Sequence, residues 1–549
     1  MLIEDGVIIA GQDQWQLRRN QLTEVRVPPN ITSVLQGRLD RLTNMERVTL
    51  QRAAVVGRVF WDTAVFQMNA AADDPLDQNQ TRTALQALEK REMIFRRQSS
   101  GFAGTNAYLF KHAILHQITY ESVLLRARPI YHKQVADWLA QQSGERISEY
   151  ASTIAEHYEL AEEKATAAEL YEMAAQRAQD TFNNEMATVY FCRSLALLTE
   201  MPHYAIWQLR LQEDLGQLLL QQARLVEAAQ AYMTMRFTAE EDGDLLLQAR
   251  AWNGLAEIQE YQADYVSMLE SAQQAERVAW LVNAESIWVQ AMLYKSAALL
   301  RQGEVEMALL ATYRALETAQ RLDEPELLTL CLQQSCEQHI RIGRYRPVEQ
   351  YLAQLKGQSA LLDRLGNRPA LALANQSLGE INKRLGRFDN ALHWLLAAMK
   401  IYRELEDQLA IGQTLNLLGE TSRLRGQSGA AVPFYRKALA IVNGLDNQLE
   451  IMKVRTNLTA ALVDLGSYDA AERSVRQVVQ MLENFGKMAG WYDSPRVYVY
   501  QALAFLGKEQ VELALRFANR AHRKAAMQES DTALGFAWYG LACVLAKGG

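Results

Sequence analysis

Proline and glycine are scarce in this 549-residue chain. With 10 and 29 residues they make up about 7% of it, against a usual ~12%. That shortage excludes a turn-rich chain and predicts one that is mostly helical. The four cysteines, Cys192, Cys331, Cys336 and Cys543, are scattered with no CxxC pair. This argues against a zinc ribbon, a redox motif or a disulfide framework, and fits a reducing, cytoplasmic setting. No stretch reaches the ~18 apolar residues of a membrane helix, and no N-terminal run has the make-up of a secretion signal. Nor is there an excess of positive charge. Residues up to 145 sum to +2 and the rest to −9, for a net −7, whereas a nucleic-acid footprint is strongly basic. A GxxxxGK[ST] phosphate loop occurs nowhere, so no motif for nucleotide binding or catalysis is present and the chain is expected not to be an enzyme.

What is present is a repeat. Small residues end one amphipathic helix and open the next at Ala223, Ala263, Gly303, Gly343, Gly386, Gly426, Gly466 and Gly507, separated by 40, 40, 40, 43, 40, 40 and 41 residues. Two units are clearest: Leu378-Gly379, Gly386, Ala391, Leu395, Ala398, and Leu418-Gly419, Gly426, Ala431, Tyr435, Ala438. Pro347, Pro369, Pro433 and Pro495 fall near hairpin turns or in first helical turns, where a missing N–H costs little. The pattern resembles the tetratricopeptide repeat, in which small residues let two antiparallel helices approach closely. With two weaker hairpins before residue 205, it predicts a right-handed solenoid of about ten helical hairpins over residues 147–549.

The first 146 residues read differently. Residues 6–17 alternate around a polar turn as a short hairpin. Helical patterns follow at 31–42, 45–57, 61–69 and 81–90, then strand-like segments at 93–98 and 107–110 around a glycine turn. Helices followed by a two-strand wing predict a winged helix over residues 27–146, so the fold class is all-α with a winged-helix domain ahead of the solenoid.

The wording of this stretch, Val27-Pro28-Pro29-Asn30-Ile31, Arg38-Leu39-Asp40-Arg41-Leu42, Ala53-Ala54-Val55-Val56-Gly57-Arg58-Val59-Phe60 and Phe110-Lys111-His112-Ala113, resembles the region after the nucleotide-binding core in bacterial STAND-class signalling ATPases. These include ATPases fused to nucleotide cyclases, kinases or transcriptional activators. Residues 1–26 then correspond to the end of the ATPase lid, and the chain is expected to be the back half of a longer protein. ATP or ADP enters only if a nucleotide-binding domain lies upstream, in cis or in trans. The resemblance implies that His112, with Lys111, senses the nucleotide's phosphates. The alternative for His112 is a residue that caps or packs at the start of a helix over 112–125. His112 and His116 lie four apart, and a third metal ligand would have to be His132, Glu121 or something distant; the absence of HExxH and the Ala-Ile-Leu between the two histidines disfavour a metal.

Three first helices carry a polar row at four-residue spacing: Gln333, Glu337, Arg341; Gln376, Glu380, Arg384; and Asn416, Glu420, Arg423. Stacked at the repeat period, these side chains form a ladder that fits an extended peptide or a partner's helix. The plainer alternative is Glu-to-Arg pairing on exposed helices. Trp252, Trp280, Trp288 and Trp394 are expected to pack between helices. The expected function is therefore the sensor and protein-interaction arm of a signalling ATPase, with a partner or inducer in the groove. The alternatives are a stand-alone winged-helix transcription regulator and the regulatory half of a cyclase or kinase. DNA is disfavoured because Arg82, Lys90 and Arg91 are offset by Glu89 and Glu92.

Overall fold

Two short strands, β1 (Ile8–Ala10) and β2 (Trp15–Leu17), pair antiparallel with Ile9 opposite Gln16. The computed structural model describes residues 8–10, 15–17, 31–71, 75–181, 183–199, 201–322, 324–484, 494–527 and 531–548. Val27 to Asn30 and part of the polar loop from Asp73 lie outside the described residues. The chain divides into two units, Met1–Arg177 with Val189–Glu200, and Ala178–Thr188 with Met201–Gly549.

In the first unit, α1 (Ile31–Asp40) precedes α2 (Asn44–Val56), which starts at a capping box in which Thr43 and Glu46 satisfy each other's backbone N–H. Gly57, at φ 140°, ends α2 and turns the chain into β3 (Val59–Trp61). Then come α3 (Asp62–Ala70), α4 (Gln78–Lys90) behind a second capping box from Asp77, β4 (Ile94–Arg96) and β5 (Ala107–Phe110). β5 is the central strand, antiparallel to both β3 and β4, with Phe60 opposite Tyr108 and Phe95 opposite Leu109.

β3 departs from the sequence expectation, which ran helix 45–57 directly into helix 61–69. Three apolar residues have no period of their own, and they become a strand only through pairing with residues some fifty positions later. The next helix is also shorter than expected: α5 covers Ala113–Glu121 rather than 112–125, with His112 as its N-cap. α6 (Arg128–Ser143) and α7 (Ile147–Leu160) complete a core that contains Leu50, Phe60, Leu88, Phe110 and Trp138.

α8 (Lys164–Asp180) follows α7 across a left-handed Glu162, and α9 (Asn184–Leu198) packs on α8, with Ser194 donating to the Ala168 carbonyl at 2.8 Å and Tyr190 stacked on Tyr171. Among the described residues, eight hairpins then follow. They are α10 (Ala205–Gln221) with α11 (Leu225–Asp242), α12 (Leu245–Gln262) with α13 (Tyr265–Leu281), α14 (Glu285–Arg301) with α15 (Val305–Ala319), and α16 (Pro325–Arg341) with α17 (Tyr345–Leu365). The remaining four are α18 (Arg368–Arg384) with α19 (Phe388–Glu404), α20 (Gln408–Leu424) with α21 (Ser428–Gly444), α22 (Gln448–Asp464) with α23 (Tyr468–Asn484), and α24 (Ser494–Gly507) with α25 (Val511–Met527). α26 (Asp531–Gly548) packs on α24 and α25. No helix among the described residues is long and apolar enough to cross a membrane.

Seven of the eight expected turn residues adopt the left-handed conformation, from Ala223 to Gly466. Gly507 does not. It is the last residue of α24, the left-handed position is Glu509, and a Cβ on Gly507 would lie 2.2 Å from the Tyr468 ring. Pro433 also departs, sitting in the second turn of α21 rather than its first. Ala263 holds φ 57° without glycine's freedom, whereas Gly386 holds φ 71° with it. Ala263→Gly is therefore expected to raise stability by about 0.5–1 kcal/mol, and Gly386→Ala to lower it by about 1 kcal/mol. Thermal midpoints of the two variants, which should shift in opposite directions, check this.

Neighbouring first helices touch one another in series from α10 to α26, while contacts between neighbouring second helices are sparse. The first helices therefore form the inner layer of this unit, as in tetratricopeptide solenoids. Its early and late hairpins also meet. Asn184 Nδ2 donates to the Leu445 carbonyl at 2.9 Å, and Lys453 Nζ lies 5.7 Å from the centre of the Tyr261 ring.

Candidate partner-binding groove

The polar row becomes a network that links successive first helices. In α16, Gln333 Nε2 donates to Glu337 at 3.0 Å, and Gln333 Oε1 accepts from Ser377 of α18 at 2.7 Å. Arg384 of α18 meets Glu337 at 3.5 Å and Glu380 at 3.2 Å, so one guanidinium joins two helices. Gln376 accepts from Thr414 of α20 at 3.2 Å. Lys383 pairs with Glu420, and Asn416 accepts from Asn457 of α22 at 3.0 Å. Asn457 accepts in turn from Arg496 of α24 at 3.1 Å. These links tie α16 to α18, α18 to α20, α20 to α22 and α22 to α24.

Gln376, Glu380, Arg384, Asn416 and Glu420 line a cavity of about 750 Å3. Its electrostatics are those of a compensated network. Although burial works against its charge, Glu420 is held down at about 2 by Lys383, Arg496 and Arg423. Burial likewise opposes the charge on Arg384, yet Glu337, Glu380 and Glu420 raise its pKa. Both groups stay ionised, as a surface that holds backbone amides and charges requires.

Of the other predicted residues, Gln333 and Glu337 line an adjoining cavity of about 380 Å3, and Arg341 lines a recess of about 90 Å3 beside it. Arg423 does not line these cavities. It is one residue out of the row, which Leu424 occupies instead, and it reaches Asp464 of α22 at 3.3 Å. Sequence reasoning missed Lys383, Gln413, Glu450, Lys453 and Arg496 on the groove wall. Asn457, also missed, lies one residue beyond the row position, which Thr456 holds.

The N-terminal candidates separate. His112 is exposed at the N-cap of α5, and its side chain makes no cap hydrogen bond. Lys111 is paired with Glu92 and lies 5.3 Å from the Phe95 ring centre. His116 is structural: Nε2 meets the Ala54 carbonyl at 2.9 Å, and the ring packs edge-on against Phe110. Arg91 pairs with Glu46 at 3.2 Å, while Arg82 and Lys90 are exposed. Among the tryptophans, Trp394 packs on the solenoid core, but Trp280 is 71% exposed, against the expectation that it would pack between helices. Trp280 lies in the last turn of α13 and meets only the edge of the hairpin, its ring 6.2 Å from that of Trp288.

The tetratricopeptide repeat family matches residues 370–443, the hairpins α18–α19 and α20–α21. The regulatory protein AfsR of Streptomyces griseus is 31% identical over 101 residues, 18% of this chain and 10% of that protein. The chain thus matches about a tenth of the length of that curated relative. Among solved structures, a Rap protein complexed with Competence and Sporulation Factor is similar at 13% identity and a TM-score of 0.38, over 62% of this chain and 98% of that one. A Signal Transduction ATPase with Numerous Domains protein with a tetratricopeptide repeat sensor, from Pyrococcus horikoshii, is similar at 10% identity and a TM-score of 0.35, over 94% of this chain and 69% of that one.

Proposed function

We propose that this chain is the sensor and protein-interaction arm of a bacterial, cytoplasmic signalling ATPase of the STAND class. A peptide or partner segment lies along the inner layer of first helices. The N-terminal unit, a winged helix, relays its arrival to a nucleotide-binding core supplied in cis or in trans. The observation that carries this reading is the cross-helix ladder lining the 750 Å3 cavity, which gathers amides, acids and cations on one surface. The order helix, strand, helix, helix, strand, strand around a central β5 supports the winged-helix part. The short match to a protein named as a regulator agrees with a signalling role. His112, exposed at the start of α5, is free to meet a phosphate if such a core docks there.

The test removes residues 205–549 from the protein in its source cell and reads basal and induced signalling output. A change in either is expected; identical output with and without the repeats overturns the reading. Ladder variants refine it: Lys383→Ala with Arg384→Ala should abolish induction while leaving the helical content intact by circular dichroism.

A further inference from the structure

The ladder has a missing rung. At the Gln333 and Glu337 positions, α12 carries Asn253 and Glu257, α18 Gln376 and Glu380, and α20 Asn416 and Glu420, but α14 carries Leu293 and Ala297. The small, apolar α14 positions open the 380 Å3 cavity. Its floor is Leu293, Tyr294, Ala297 and Leu330, with Glu257 and Glu260 on one wall and Gln333 and Glu337 on the other. The 90 Å3 recess shares Glu260, Ala297, Gln334 and Glu337 with it and adds Arg301 and Arg341.

Four charges here lack ion-pair partners among the described residues: Glu257, Glu260, Arg301 and Arg341. Arg384, which also lines the recess, is paired with Glu337 and Glu380, and farther along the groove Lys383 is paired with Glu420. Like charges sit side by side here, although Arg301 partly offsets Glu260 and Tyr294 hydrogen-bonds Glu257. Glu257 is raised to about 6, by burial and then by Glu260. Arg341 is lowered to about 10, by desolvation in the groove and then by Arg301 and Arg384. Gln338, only 2% exposed, lines the recess and leaves its Oε1 without a hydrogen-bond partner.

We propose that this notch is a receptor for a zwitterion, an amine and a carboxylate joined through an apolar body, such as a short peptide or a free amino acid. The amine lies against Glu257 and Glu260, the carboxylate against Arg301 and Arg341, and the apolar part on Leu293, Ala297 and Leu330. Each ligand charge relieves the like-charge repulsion of the pair it meets, which neither a purely anionic nor a purely cationic ligand does for both. This inference rests on the groove being a ligand-binding surface.

Isothermal titration of the whole chain with dileucine, N-acetyl-dileucine, dileucine amide and L-leucine tests it. Dileucine or L-leucine should bind, and whichever binds more tightly separates a peptide source from a free amino acid. Capping either end should weaken binding about 10- to 100-fold. Glu257→Gln should erase the cost of acetylation, and Arg341→Met the cost of amidation. Ala297→Met, which refills the missing rung without touching a charge, should abolish binding; thermal midpoints confirm that each variant is folded. Equal binding of the capped and uncapped forms overturns the proposal, as does absence of heat from both dileucine and L-leucine at about 5 mM. A negative result here, with the repeat deletion still altering signalling, would remove the zwitterion site and leave the sensor reading standing.

Discussion

Gly254→Ala is expected to destabilise the repeat unit by about 3 kcal/mol. A Cβ at Gly254 in α12 would lie 2.3–2.6 Å from three ring atoms of Tyr232. Those atoms have nowhere to go. Tyr232, on α11, is 2% exposed, and its other edge is pressed against Gly216 of α10, where a Cβ would lie 2.7 Å away. One tyrosine thus wedges between two glycines on consecutive first helices, and its ring thickness sets how closely the first two hairpins stack. Urea titration monitored by circular dichroism should show a lower midpoint. Gly303→Ala, at an open turn, should cost only the backbone strain of its φ of 84°. Tyr232→Phe in the Gly254→Ala background should rescue nothing, since it is the ring and not the hydroxyl that collides.

The second large effect is acid lability of the N-terminal unit. His132 Nδ1 and His157 Nδ1 are 2.8 Å apart, His132 Nε2 is 2.9 Å from the Tyr120 hydroxyl, and His157 bonds the Val56 carbonyl. Both rings are buried, at 3% and 8% exposure. One assignment satisfies every atom: Tyr120 donates to His132 Nε2, His132 Nδ1–H to His157 Nδ1, and His157 Nε2–H to Val56. In that relay both rings are neutral: a further proton on His157 Nδ1 sets hydrogen against hydrogen, and one on His132 Nε2 makes the Tyr120 hydroxyl turn from donor to acceptor.

Burial, followed by the charges of His157 and Arg128, lowers His132 to about 3, and burial lowers His157 to about 4. Between those values and the unfolded 6.5, the unfolded chain binds more protons than the folded one, so stability rises with pH through this window. Going from pH 7.5 to pH 5 should cost the unit about 2 kcal/mol per histidine. Hydrogen exchange of residues 128–160, corrected for the intrinsic rate, should accelerate on acidification. His157→Phe should flatten that dependence. An unchanged pH profile in the variant would mean that other groups carry the acid sensitivity.

Much of the solenoid was legible because its information is local and repeated. A small residue every 40 positions marks turns that must adopt left-handed φ, and amphipathic helices must bury one face against a neighbour. Period alone therefore located the hairpins from Ala223 to Gly466 and brought Gln376, Glu380, Arg384, Asn416 and Glu420 to a single cavity. Where the local signal was degenerate, the reading slipped. Gly507 looked like a turn glycine but serves close packing against Tyr468, and Arg423 looked like a rung but lies one residue out of row. β3 had too few residues to show any period.

What the sequence by itself determined, then, was the element type and the repeat, because backbone conformation and burial pattern follow from residues near in the chain. The tertiary structure alone decided which charges meet. Arg384 on Glu337, His132 against His157, and Asn184 on the Leu445 carbonyl join residues 25 to 261 positions apart. No local preference encodes them, since a carboxylate or an imidazole is as content in water as in a pair until packing removes the water. The missing rung at Ala297 belongs to both: its residues stand in the sequence, but only stacked helices turn a short side chain into an open site with unpaired charges around it.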